Sequence, residues 1–184
     1  MAYKLSFWEI IKAYFVPLHP LFLSIMLIPV AVLLLYALTK VIKKASFGEI
    51  LSIIAVVGIV LIAMLAISLP YTGSGWRLED ETLLIKATWG APEVLELKKT
   101  RIALVDSAGP WQATRRENGI GLPGFSAGWF RFKNGKKALY FRHGESPYYR
   151  VVLESGGRYY VLLHPGVKEL YWELIARGAQ PAEL

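Results

Sequence analysis

The stretch from Leu21 to Leu69 reads LFLSIMLIPVAVLLLYALT over 21–39, KVIKKASFGE over 40–49 and ILSIIAVVGIVLIAMLAISL over 50–69. Each apolar run approaches the ~20 residues that a helix needs to cross a ~30 Å hydrocarbon core. Neither run holds a charged residue, while the linker carries Lys40, Lys43 and Lys44 and is too polar for lipid. The pattern predicts a transmembrane helical hairpin over 20–70. Pro29 predicts a kink in its first helix, because proline removes one helical hydrogen bond. Neither run carries a polar side chain stronger than a few Ser and Thr, so nothing resembles an ion path or a proton relay. The hairpin reads as an anchor.

Residues 1–19 form the lead-in. The apolar run after them is too long for a secretory signal. Ser6 and Glu9 have capping-box spacing, and Phe7, Trp8, Ile11, Tyr14, Phe15 and Leu18 recur at helical spacing. Aromatic residues favour the headgroup zone, so an amphipathic segment lying at the interface is expected. A hairpin puts both termini on one side of the membrane. The lysine flanks nearly balance, and a basic domain suits the anionic inner leaflet. The expected location is the cell membrane, spanned twice, with the soluble part in the cytoplasm.

The chain has 184 residues, no cysteine and a formal charge of +7. Disulfides, thiol nucleophiles and thiolate metal sites are thereby excluded. The basic excess after Pro70 is small and scattered, unlike the dense basic face of a nucleic-acid binder.

After Pro70 the period changes from helical to alternating. Residues 75–79 and 82–87 flank Asp80-Glu81 as a hairpin, and 94–98, 101–106 and 111–116 read as further short strands. Strands 128–133 and 136–141 flank Asn134-Gly135, the strongest short hairpin signal, which predicts a type I′ turn. Strands 149–154 and 158–163 flank Gly156-Gly157. A helix over 165–177 then presents Val167, Leu170, Tyr171, Leu174 and Ile175 as one apolar stripe, with Gly178 as its stop. About seven antiparallel strands and a capping C-terminal helix predict a small barrel over 71–178, with 179–184 as a tail.

The stretch Gly121-Leu-Pro-Gly-Phe-Ser-Ala-Gly-Trp-Phe-Arg-Phe-Lys-Asn-Gly-Lys-Lys-Ala-Leu-Tyr-Phe141 resembles the bacterial pleckstrin-homology-like (PH-like) domain family, as does Tyr159-Tyr-Val-Leu-Leu-His-Pro165 running into the helix. The form with two N-terminal transmembrane helices is the one this chain is similar to. The resemblance implies a PH-like barrel that binds lipids, peptides or proteins, without established chemistry. It also implies a basic first hairpin for phosphoinositide binding. Here that turn is Glu79-Asp80-Glu81, which is acidic and argues against such a site.

Two enzyme fingerprints occur in the glycine-rich stretch. Gly119, Gly121 and Gly124 match G-x-G-x-x-G, but Pro123 interrupts it and a strand follows where a dinucleotide site needs a helix. Gly124-Phe-Ser126-Ala-Gly128 matches the nucleophile elbow G-x-S-x-G, which needs a strand-turn-helix. A small membrane hydrolase using Ser126 is thus the remote alternative, and the expectation is no catalysis and no cofactor. The glycines are better explained by positive φ and close backbone approach. His19, His143 and His164 lie far apart without chelating spacing, which predicts no metal site.

The remaining candidates are basic residues at strand ends and turns: Lys98, Lys99, Arg101, Arg115, Arg116, Lys133, Lys136 and Lys137. On a shared rim with Trp111 and Trp129 they would meet anionic headgroups or an acidic partner; otherwise they are solvated turns that protect strand edges. The expected function is a membrane-anchored PH-like binding module that recruits a protein or senses the lipid surface. Its expected partners are membrane lipids and either a protein partner or a second copy of itself. The alternative is an accessory subunit that docks into a larger membrane complex through its helices.

Overall fold

The computed structural model describes residues 1–13, 31–32, 35–36, 39, 47–144 and 148–184. The chain divides into two compact units, one of Met1–Pro17 with Tyr71–Leu184 and one of Leu18–Pro70.

The first unit opens with strand β1 (Ala2–Lys4) and helix α1 (Phe7–Lys12). The capping box forms: Glu9 N donates to Ser6 Oγ at 3.3 Å and Ser6 N donates to Glu9 Oε2 at 2.7 Å, satisfying two otherwise orphaned donors. Hydrogen bonds to the Ser6 backbone and hydroxyl hold the Glu9 carboxyl below its usual pKa. Ile10 points into the core, while Trp8 remains 69% exposed.

In the second unit, helix α2 covers Phe47–Ser68, about 33 Å at the usual rise per residue. The segment Leu51–Tyr71 is long and apolar enough to cross a membrane. Ile54, Ile59 and Ile62 are 62%, 66% and 66% exposed, so this helix is not covered like a core helix. Among the described residues no second helix of this kind occurs. The expected two-helix hairpin is therefore corrected to one candidate span. Pro29 and most of run 21–39 lie outside the described residues.

The chain then continues through β2 (Gly75–Glu79), β3 (Thr82–Lys86), β4 (Glu93–Glu96), β5 (Arg101–Asp106) and β6 (Ala113–Gly121). It goes on through β7 (Phe125–Phe132), β8 (Lys137–His143), β9 (Tyr149–Ser155), β10 (Arg158–Leu163), helix α3 (Val167–Ala176) and β11 (Gln180–Pro181). A four-stranded sheet has the order β1-β2-β3-β4, and a seven-stranded sheet has the order β11-β5-β9-β10-β8-β7-β6. The pairs β8/β10 and β5/β11 are parallel.

The expected barrel of about seven antiparallel strands is thus corrected as well. Among the described residues eleven strands form two sheets, and two pairings are parallel. The physical reason is that alternation reports which face of a strand is buried and not which strand lies beside it. Here β9 comes back one place beyond β8, and β10 fills the gap between them.

Two hairpin turns show how local chemistry sets the backbone. Gly156 and Gly157 both take positive φ (57° and 74°), as a type I′ turn requires. At Asn134-Gly135 only Gly135 is positive, at 78°, and Phe132 N donates to Lys136 O at 2.9 Å. That is a three-residue loop ending in a left-handed glycine, not the expected type I′ turn.

Trp76, Leu83, Ile85 and Leu95 of the smaller sheet share one core with Phe125, Phe141, Val151 and Leu162 of the larger. Helix α3 adds Val167, Leu170 and Leu174 to it and packs against β5 and β9. The opposite face of the seven-stranded sheet has its own cluster, built on Trp111, Phe130, Phe132, Tyr140, Val152 and Val161. That second face positions the site.

Candidate functional site

Alternation along β8 sends Leu139 and Phe141 to the main core and Tyr140 to the outer cluster, so Arg142 follows Tyr140. Along β9, Val151 and Leu153 face the main core and Val152 the outer cluster, which places Arg150 on the outer face too. Register then aligns them. Ser126 is the cross-strand partner of Arg142, Arg142 pairs with Leu163, and Arg150 pairs with Val105. Arg142 and Arg150 line a cleft of about 330 Å³ that Arg115 and Arg116 enter from β6. Ser126 and Tyr140 contribute hydroxyls to its lining, and Phe130 and Leu163 an apolar wall.

Arg150 is only 4% exposed. Its Nη1 donates to Trp111 O and its Nη2 to Ser107 O, tying the 107–112 loop down over the sheet. Arg142 Nη2 donates to Leu122 O at 2.6 Å and Pro123 O at 2.7 Å. The Nε of each guanidinium is buried and has no hydrogen-bond partner among the described residues. Among the described residues no carboxylate forms an ion pair with Arg116, Arg142 or Arg150.

Burial lowers the Arg150 pKa, with Tyr140 and Asp106 acting the other way, yet a guanidinium stays charged at any ordinary pH. Asp106 does not neutralise it by contact, and its Oδ1 accepts from Ala108 N at 2.7 Å. Burial raises the Tyr140 pKa, against the pull of Arg142 and Arg150, so its phenol remains protonated. A buried charge that lacks a counter-ion is expensive. The arrangement is one that an anion would complete.

Strand β6 explains why two consecutive arginines reach one cleft. Its register against β7 shifts between Ala113 and Arg115 and again between Arg116 and Asn118. Such bulges break the strict alternation of side chains and re-aim them. Beside the cleft, Glu117 gathers the neighbouring cations, at 2.7 Å from Arg131, 3.0 Å from Lys137 and 3.8 Å from Arg115. Lys137 and Arg131 hold its carboxyl below the usual range.

Of the basic and aromatic candidates singled out from sequence, Arg115 and Arg116 line the cleft and the others do not, while Ser126 of the glycine-rich stretch lines it too. Lys98 pairs with Glu81 at 2.6 Å, Lys99 with Glu96 at 2.7 Å and Arg101 with Glu154 at 3.3 Å. Lys136 lies over the Tyr159 ring at 4.3 Å and the Trp111 ring at 5.4 Å, and Lys137 over Trp129 at 5.4 Å. Trp111 is 1% exposed and packs in the outer cluster, and Lys133 is exposed and does not line the cleft. Arg142, Arg150 and Tyr140 were not singled out. A charged residue breaking an apolar alternation, as in ALYFRH (138–143) and YRVVLE (149–154), is the signal that marks the two arginines.

The two glycine fingerprints span the end of β6, the turn holding Gly124 and the start of β7, and the two strands pair with each other. Gly119 and Gly128 are cross-strand partners with φ of 123° and 129°. A Cβ on either would stand 2.2 Å from a backbone oxygen of the other strand. Close approach therefore requires these two glycines. Ser126 sits inside β7, with strand on both sides of it, where a nucleophile elbow would turn into a helix.

His143 and His164 come together around Tyr3. Its ring stacks on His164 with centroids 4.4 Å apart, and its hydroxyl shares a 2.6 Å hydrogen bond with His143 Nδ1. His19 lies outside the described residues. Among the described residues no cluster of three His, Cys, Asp or Glu side chains is placed to hold a metal.

No family model, no characterised protein and no solved structure matches this chain.

Proposed function

We propose that this chain is a membrane-anchored binding module: α2 holds it in a bilayer, and the arginine cleft receives the anionic part of a ligand without reacting with it. The observation that carries this reading is the pair Arg142 and Arg150, both in one cleft and both without a carboxylate counter-ion among the described residues. The uncovered apolar surface of α2 supports the anchor, since isoleucines on such a helix lose water only in lipid or against another protein. The resemblance of Gly121–Phe141 to PH-like domains supports binding over catalysis.

The test uses the full chain in nanodiscs of zwitterionic lipid. Multivalent anions should raise its thermal midpoint above that in chloride of equal ionic strength. Exchanging Arg115 and Arg116, both exposed, for glutamine should remove that rise. An unchanged midpoint with every anion overturns the cleft half of the reading. Release of the protein from membranes by alkaline wash overturns the anchor half.

A further inference from the structure

We propose that the cleft takes an organic phosphomonoester, its phosphoryl oxygens on Arg142 and Arg150 and its outer side closed by Arg115 and Arg116. This rests on the anion-binding reading above and names the ligand class of the same site.

Charge comes first. Four guanidiniums line the cleft, and among the described residues only Arg115 has a carboxylate partner, Glu117 at 3.8 Å, shared with two closer cations. A monocarboxylate would leave most of that charge uncompensated. A phosphomonoester carries close to two negative charges at neutral pH, with three strong acceptor oxygens.

Donor geometry separates phosphate from carboxylate. A planar carboxylate is best matched by one guanidinium presenting two parallel N–H groups. Arg142 has no such fork to offer, because both protons of its Nη2 are committed to Leu122 O and Pro123 O. The Nε of each arginine is buried, so what remains for a ligand is Nη1 of Arg142 and the N–H on each Nη of Arg150 beyond its bonds to Trp111 O and Ser107 O, with Ser126 and Tyr140 also in the lining. They come from β7, β8 and β9, while Arg115 and Arg116 come from β6. Single donors arriving from several strands suit a tetrahedral oxyanion, which presents oxygens in several directions.

Size and wall then set the remainder of the molecule. At about 330 Å³ the cleft lies at the lower end of the range for small-molecule sites and exceeds what one inorganic phosphate fills. Phe130 and Leu163 give one wall an apolar surface on which a short organic ester can lie. That ester is either the headgroup of phosphatidate or a soluble phosphomonoester, and both present the same terminal phosphoryl group.

The experiment titrates inorganic phosphate and succinate, at matched ionic strength, into the full chain in phosphatidylcholine nanodiscs, with the thermal midpoint as readout. Phosphate should bind about ten-fold more tightly than succinate, and Arg115→Gln/Arg116→Gln should weaken phosphate by about ten-fold or more. Succinate binding as tightly as phosphate overturns the phosphomonoester and leaves the anion-binding reading standing. Phosphate binding equally well to the parent and the double variant places it elsewhere and overturns the proposal. No response to either anion overturns both. The same titration in nanodiscs containing phosphatidate identifies the source. A response already saturated by the lipid assigns the headgroup, and an undiminished response assigns a soluble ester.

Discussion

The Tyr3 hydroxyl and His143 Nδ1 share a hydrogen bond of 2.6 Å across 140 residues of sequence. It is one of several ties by which the N-terminus belongs to the β-rich unit. β1 pairs with β2, Leu5 N donates to Ser74 O at 2.9 Å, and Leu5, Ile10 and Ala13 are 2%, 0% and 4% exposed.

A fragment of residues 71–184 should therefore be unstable. Burying Leu5 and Ile10 alone contributes about 3–6 kcal/mol, a large share of ordinary domain stability. Joining residues 1–17 to 71–184 through a flexible linker in place of α2 should restore a cooperative transition by circular dichroism. Equal melting of the two fragments would show that the N-terminal strap is dispensable.

Stability should fall as pH drops below neutrality. Trp76 Nε1 donates to His164 Nε2 at 2.9 Å, and His164 Nδ1 bonds Pro165 O at 2.6 Å. A proton added at Nε2 would face the indole N–H. Burial holds both His164 and His143 below the ordinary imidazole pKa. Below about pH 6.5 the unfolded chain binds protons that the folded chain refuses, so folding weakens with a slope up to about 1.4 kcal/mol per pH unit per histidine. Above that pH both states are neutral and the profile is flat. Denaturant unfolding in neutral detergent, compared between about pH 7.5 and about pH 5.5, checks the sign. His164→Gln should reduce the slope and leave the part that His143 contributes.

Gly128→Ala should be strongly destabilising. The new Cβ would sit 2.2 Å from Asn118 O, at a φ of 129° that side chains rarely adopt. Strain and overpacking together cost on the order of 3 kcal/mol. Gly135→Ala is the control. It also has positive φ, at 78°, but its Cβ would meet nothing within 4 Å, so its loss should be about 1 kcal/mol. Similar melting temperatures for the two variants would refute close approach as the reason for Gly128.

Glu117→Gln should strengthen anion binding while leaving stability almost unchanged. The carboxylate holds Arg131 and Lys137 beside the cleft and draws Arg115 toward it, and exposed ion pairs contribute little to folding. Removing its charge leaves Arg115 for the ligand. Phosphate affinity should rise about two- to five-fold at low salt, and the gain should shrink as salt screens it. An affinity that falls would mean that Glu117 orients a cation the ligand needs.

Much of the local structure follows from the sequence alone. An uncharged apolar run between Leu51 and Leu69 has no stable place in water, so it forms a helix that demands lipid or protein cover. Ser6 and Glu9 set the start of α1, and Gly156-Gly157 sets a turn, because those backbone and capping preferences act within four residues. The stripe Val167, Leu170, Leu174 likewise specifies α3 and its buried face. Tertiary structure alone decided which strands are neighbours, since period-two alternation looks the same in parallel and antiparallel pairs. It also separated the arginines. Arg101 found Glu154 by sheet register, whereas Arg142 and Arg150 were carried to an outer face with no carboxylate within ion-pair reach among the described residues. Whether a cation is neutralised or left to meet a ligand depends on partners distant in sequence, and only the folded chain brings them within a few ångströms.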